Sequence, residues 1–184
     1  DGCSDRSWVE FPGKGFSGAS PSGDVQFDFE NSLVLSGLVA CFPTDADPDS
    51  VLGVYVAPET RMAAQSRLRE VFQQDGLSCY RVDGVRFLLS ASMACNDVHR
   101  LRGPVVAEHS QSVVSEAEDK QPVYFKESLK AAFSVEGGVA LVHVNLTRTT
   151  GLNGLEKRVG RGAIEDTLRR QAELVSEALA AAGS

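Results

Sequence analysis

The stretch VLGVYVAPETRMAAQSRLREVFQQDGLSCYRVDGVRFLLSASMAC, residues 51–95, decides the fold. Its opening, Val51 to Ala57, is a short apolar, β-branched run of the kind that forms a buried strand. Pro58 and Glu59 suit a helix's first turn, where a missing N–H costs nothing and an acidic group meets the positive end of the dipole. Ala64, Leu68, Val71 and Phe72 then fall at i, i+4, i+7 and i+8, a single apolar stripe. Arg61, Gln65, Arg67, Arg69, Glu70 and Gln74 fill the other faces, and Gly76 supplies a left-handed stop. This spacing predicts a strand over 51–57 and a helix over 58–74 lying on a sheet.

Asp83-Gly84, between apolar runs, is the signature of a two-residue hairpin loop, because a type I′ turn needs positive φ at both central residues. From Val85 to Cys95 the residues alternate as in a half-buried strand. In that register Cys79 stands opposite Leu88. Cys95 lies seven residues on, roughly 23 Å away, and points to the other face. A disulfide needs Cα atoms within about 7 Å, so this register disfavours Cys79–Cys95.

Working outward, Leu33 to Phe42 is apolar on nearly both faces and reads as a central strand, preceded by a one-face-wet strand over 24–30 and a turn at Asn31-Ser32. Bridges from Cys41 to Cys95 or Cys79 look geometrically easier than Cys79–Cys95. Residues 1–23, rich in Gly, Ser and Pro, read as a flexible tether ahead of a single domain over 24–184. Asp45, Asp47 and Asp49 alternate as in the first half of a calcium loop. Ser50 and Val56 stand where that loop needs Gly and Glu, so 43–50 reads as a solvated acidic turn. Further on, 96–103 reads as a turn, 104–108 as an edge strand and 110–121 as a loop or marginal helix suited to movement. Phe125, Leu129, Ala132 and Phe133 suggest a short helix ended at Gly137-Gly138. Val139–Leu146 is the last strong strand. A Gly-rich basic connection over 147–162 leads into a long helix over 163–181, with Ile164, Leu168, Ala172, Val175 and Leu179 as its stripe.

The expected architecture is therefore α+β: one antiparallel or mixed sheet of about five or six strands, two main helices on one face, and disulfide staples. The chain has 184 residues, 42% hydrophobic and 23% charged, as one globular domain would. A net charge of −7 argues against nucleic acid or an anionic membrane as the main partner. No run approaches the ~18 apolar residues of a membrane span. Four cysteines, Cys3, Cys41, Cys79 and Cys95, form an even set without C-x-x-C, which suggests disulfides and an extracytoplasmic location: periplasm, cell surface or secreted. Gly2-Cys3-Ser4 resembles the cleavage region of a bacterial lipoprotein, although Asp1 stands where a small uncharged residue is usual. That resemblance implies a lipid anchor on Cys3; disulfide pairing of Cys3 is the other expectation.

No catalytic, metal or cofactor motif is present, so no cofactor is implied. The expected function is a non-enzymatic binding or interaction domain for a protein or envelope component. The alternative is a small-molecule or anion-binding protein, or an enzyme. It would use the basic residues Arg148, Lys157, Arg158 and Arg161, placed before a helix N-terminus, together with His143 and Asn145. His143 has apolar neighbours and also suits a satisfied core position. Asn145-Leu146-Thr147 has the form of a glycosylation sequon at the end of a buried strand, where modification is not expected.

Overall fold

The computed structural model describes the backbone of residues 3, 8–12, 19–20, 26–28, 33–83, 92–117, 123–149 and 154–183, with side chains at 3, 36–83, 93–112, 127–146 and 166–183. The elements in chain order are β1 (Trp8–Pro12), β2 (Ala19–Ser20), β3 (Gln26–Asp28), β4 (Leu33–Phe42), α1 (Pro48–Val56), α2 (Pro58–Ala64), β5 (Leu68–Gln74), β6 (Leu77–Val82), β7 (Ser92–Leu101), β8 (Val105–Ala117), β9 (Val123–Val135), β10 (Gly138–Thr149) and α3 (Gly154–Ala182). Seven strands form one continuous antiparallel run in the order β4-β10-β9-β8-β7-β6-β5. The short strands β1 and β3 add to the free side of β4, and β2 pairs with β1. Three helices, rather than two, accompany a sheet larger than the five or six strands expected.

The strand predicted over 33–42 is β4, and β10 pairs with it along its whole length, from Val139↔Phe42 to Arg148↔Leu33. The run predicted as a strand over 51–57 is instead helix α1. Local capping overrides β-branched propensity here. The Asp47 carboxylate accepts from the Ser50 amide at 2.9 Å and from its hydroxyl at 2.6 Å, and Pro48 opens the first turn. Those two bonds hold the Asp47 carboxyl below its ordinary pKa. Asp49, in the same turn, reaches Arg100 at 3.0 Å and Arg102 at 3.6 Å at the end of β7. The acidic alternation is thus used in a cap and an ion pair.

The helix predicted over 58–74 ends at Ala64, and Leu68–Gln74 is β5. Asp75 and Gly76, with φ of 51° and 79°, form the two-residue turn between β5 and β6. The Asp-Gly hairpin signal is sound, but it operates at Asp75-Gly76 and not at Asp83-Gly84. Residues 84–91, where the long alternating strand was expected to start, lie outside the described residues. With the turn moved, Cys79 stands opposite Cys95 and the two are bonded, their Cα atoms 4.0 Å apart. The disfavoured pair is the real one. Cys41 bonds to Cys3, so neither Cys41–Cys95 nor Cys41–Cys79 forms. The Cys3 amide donates to the Glu136 carbonyl at 2.8 Å. With its sulfur in the disulfide, Cys3 has no atom left for a thioether lipid anchor. Trp8–Pro12 pairs with β4, and Ala19–Ser20 pairs with Trp8–Pro12.

The turn expected at 96–103 lies mostly in β7. The edge strand over 104–108 and the loop over 110–121 merge into β8, an interior strand, and the helix over 125–133 is β9. β10 runs to Thr149 and α3 starts at Gly154, both inside the connection expected over 147–162. One core forms where α1 and the second half of α3 meet one face of the sheet. Leu38, Ala40, Phe42, Val51, Leu52, Tyr55, Val106, Ala132, Val139, Leu141, Leu168, Ala172 and Val175 are buried there together.

Candidate functional site

Strand alternation sends every second side chain of β4, β8, β9 and β10 toward the helices. At the end covered by α1 these positions are apolar. Leu141 of β10 lies between Ala40 of β4 and Ala132 of β9, with Val106 of β8 beyond. Two residues further along β10 the character of the same face changes. His143 lies between Leu38 and Lys130, and Lys130 stands opposite Glu108, which stands opposite Arg100. In the next row Asn145 lies between Ser36 and Ser128, and Ser128 stands opposite Ser110. Two polar rows therefore cross the middle of the sheet on its helix-covered face. α3 follows β10 in the chain, and its second half packs against α1 and the core.

The rows are bonded side to side. Lys130 Nζ donates to Glu108 Oε1 at 3.0 Å and to Ser128 Oγ at 3.2 Å, and the Ser110 and Ser128 hydroxyls are 2.7 Å apart. Ser112 Oγ donates to Asn96 Oδ1 at 2.9 Å. The Lys130 and Glu108 side chains are 11% and 13% exposed. Burial lowers the pKa of Lys130, the charge and hydrogen bond of Glu108 oppose that shift, and the positive charge of Arg61 adds to it. Arg61, on α2, lies over the Tyr80 ring, 5.5 Å from its centroid, and burial lowers its pKa as well.

His143 joins this face to the helices. Tyr55 Oη and His143 Nδ1 are 2.7 Å apart, His143 Nε2 and Asn145 Oδ1 are 3.0 Å apart, and Gln171 Nε2 of α3 donates to the Tyr55 carbonyl at 2.6 Å. A neutral imidazole carrying its proton on Nε2 satisfies both of these contacts, accepting from the phenol and donating to the amide oxygen. Tyr55 is 0% exposed, and burial pushes its pKa far above the ordinary 10.0. Burial also raises that of Tyr80, against the charge of Arg61. A folded pKa raised above the unfolded one gives stability that is complete below about pH 10 and lost as pH rises beyond it. Alkaline titration followed at 295 nm is therefore expected to show Tyr55 and Tyr80 ionising only together with unfolding; ionisation of all three tyrosines in the folded protein would contradict it.

Of the site residues expected from sequence, His143 and Asn145 are brought together, buried and hydrogen-bonded. Asn145 is thereby closed to glycosylation. Arg148 lies in β10 and Lys157, Arg158 and Arg161 lie in the first half of α3, with side chains outside the described ones. His99, on β7, is exposed and paired with Asp97. Glu108, Ser110, Ser128, Lys130, Arg61 and Tyr55 were missed. The missed signal is the alternation Val106-Glu108-Ser110 against Ser128-Lys130-Ala132, visible only once both segments are taken as strands. Among the described residues, no three His, Cys, Asp or Glu side chains gather as a metal would require. No described helix is long and apolar enough to cross a membrane.

No protein-family model matches the chain, and no curated protein matches it in sequence. Solved structures do resemble it. TTHA0849 from Thermus thermophilus aligns with a TM-score of 0.57 at 11% identity, covering 83% of this chain and 99% of that one. Human StAR-related lipid transfer protein 5 aligns with 0.54 at 11% identity, covering 84% and 85%. A START superfamily protein from Mycobacterium smegmatis aligns with 0.52 at 8% identity, covering 80% and 96%. At these identities the likeness concerns architecture: one antiparallel sheet with a long C-terminal helix. In fold, the chain is similar to START-superfamily structures.

Proposed function

We propose that the protein is a non-enzymatic binding protein for a small amphipathic molecule, held between the polar rows of the sheet and α3. The observation that carries this reading is the placement of Lys130, Glu108, Ser128, Ser110 and Asn145 on the helix-covered face. A purely structural core would put apolar side chains there, since burying an ion pair costs several kcal/mol per ion before its mutual attraction is recovered. Perturbed charges inside a fold gather at functional sites. The apolar rows at the α1 end and the polar rows beside them offer one wall for a hydrocarbon chain and another for a polar group, the usual division of a ligand site.

Two features support the class of ligand and the setting. One protein of similar fold is a lipid transfer protein by name, and the two disulfides suit an oxidising, extracytoplasmic compartment. The envelope component expected from the sequence would then be a lipid rather than a protein. Arg148, Lys157, Arg158 and Arg161 enter this reading as basic positions at the Asn145 end of the sheet.

Titration with a fluorescent long-chain fatty acid tests it. The expected result is saturable binding to one site with Kd of about micromolar order, close to −8 kcal/mol. Ser128→Phe, which fills the row between Ser110 and Asn145, is expected to weaken binding at least about tenfold, or 1.4 kcal/mol. Absence of saturable binding by the unaltered protein would overturn the proposal.

A further inference from the structure

Among the described residues, the charges around Arg61 do not balance. Lys130 is answered by Glu108 at 3.0 Å. Arg61 feels the charges of Glu108 and Lys130, yet its guanidinium makes no hydrogen bond or ion pair with any described residue. It lies over the face of Tyr80, 5.5 Å from the ring centroid. Among the described residues, two cations and one carboxylate thus leave one positive charge without a counter-charge. An arginine stacked on an aromatic ring uses the face of its guanidinium and keeps the in-plane N–H donors for another group. Those donors form a fork that matches a carboxylate or phosphate with two parallel hydrogen bonds.

We infer that the bound molecule carries one anionic group, a carboxylate or a phosphate, and that Arg61 receives it above the Tyr80 ring while Lys130 stays with Glu108. The inference rests on the binding reading given above and narrows it to anionic amphiphiles. Arg61 comes from α2, a short helix packed against α3 and β5, so the same residue ties that helix to the occupied state.

Three ligands of one chain length separate the possibilities: hexadecanoic acid, hexadecyl phosphate and 1-hexadecanol, each measured by displacement of the fluorescent probe from the disulfide-intact protein. The anions are expected to bind at least about tenfold more tightly than the alcohol, a difference of 1.4 kcal/mol or more. The stronger of the two identifies the anion's chemistry. Arg61→Gln is expected to bring both anions to within about threefold of the alcohol, and Arg61→Lys to retain part of the preference, since it keeps charge but loses the fork. Equal binding of all three ligands by the unaltered protein overturns the inference and leaves the binding reading standing. Failure of all three to bind overturns the binding reading itself. An anion preference that survives in Arg61→Gln removes Arg61 from the role.

Discussion

Glu108→Gln is expected to lower the free energy of unfolding by about 3–5 kcal/mol at pH 7, because it leaves the Lys130 ammonium without its counter-charge in a buried place. Lys130 is held 3.0 Å from Glu108, and burial already depresses its pKa against the pull of that carboxylate. Removing the carboxylate lets the pKa fall further. A lysine whose folded pKa lies below its unfolded value of 10.5 binds fewer protons folded than unfolded, so stability rises with pH between the two values. The deficit of Glu108→Gln should therefore shrink in urea unfolding at pH 9 compared with pH 7. Adding Lys130→Met should recover much of the loss, since an apolar pair of similar volume often matches or exceeds a buried ion pair. A deficit below about 1 kcal/mol at pH 7 would mean that water screens the pair as it does at a surface.

Removing the Cys3–Cys41 disulfide by Cys3→Ser with Cys41→Ser is expected to cost about 4 kcal/mol. The bond closes a sequence separation of 38, and loop-closure entropy grows with the logarithm of loop length. For a chain of 184 residues that corresponds to a fall in Tm of about 8–16 °C. The Cys79–Cys95 bond, with a separation of 16, is expected to contribute about 3 kcal/mol. Calorimetry of the two double variants against the oxidised protein checks both magnitudes and their order. A larger loss from Cys79–Cys95 would show that strain or residual structure outweighs chain entropy.

The parts of the fold that were legible in the sequence are those whose faces differ. β4 and β10 are apolar enough to declare themselves strands, and the stripe Leu168, Ala172, Val175 and Leu179 declares α3. Gly137, with φ of 77°, and Gly138, where a Cβ would lie 2.1 Å from the Phe42 carbonyl oxygen, mark the turn into β10. The failures have two causes. In residues 48–74, a capped helix start at Asp47-Pro48 outweighed β-branched propensity, and the fortuitous i, i+4, i+7 spacing of Ala64, Leu68 and Val71 spanned a helix end and a strand. In β7, β8 and β9, the inward positions carry Asn96, Ser112, Ser110, Glu108, Lys130 and Ser128. In β7 and most of β8 polar side chains on both faces erase the period of two, so those segments look like turns and loops, while in β9 the spacing of Phe125, Leu129, Ala132 and Phe133 also fits a helical stripe. The residues that concealed these strands are the ones that form the candidate site. His143 and Asn145 were legible because they interrupt an otherwise apolar strand. Their partners were not, because register across five strands is a property of the folded sheet.

The most direct measurement is to photo-crosslink a diazirine-bearing fatty acid to the disulfide-intact protein and map the labelled peptides. The account predicts labels on the helix-covered face of β4, β8, β9 and β10, around Ser36, Ser110, Ser128 and Asn145, and on α3, all competed away by unlabelled fatty acid. Labels confined to the opposite face of the sheet, or to the exposed Leu101 and Val105 at the β7–β8 turn, would contradict it.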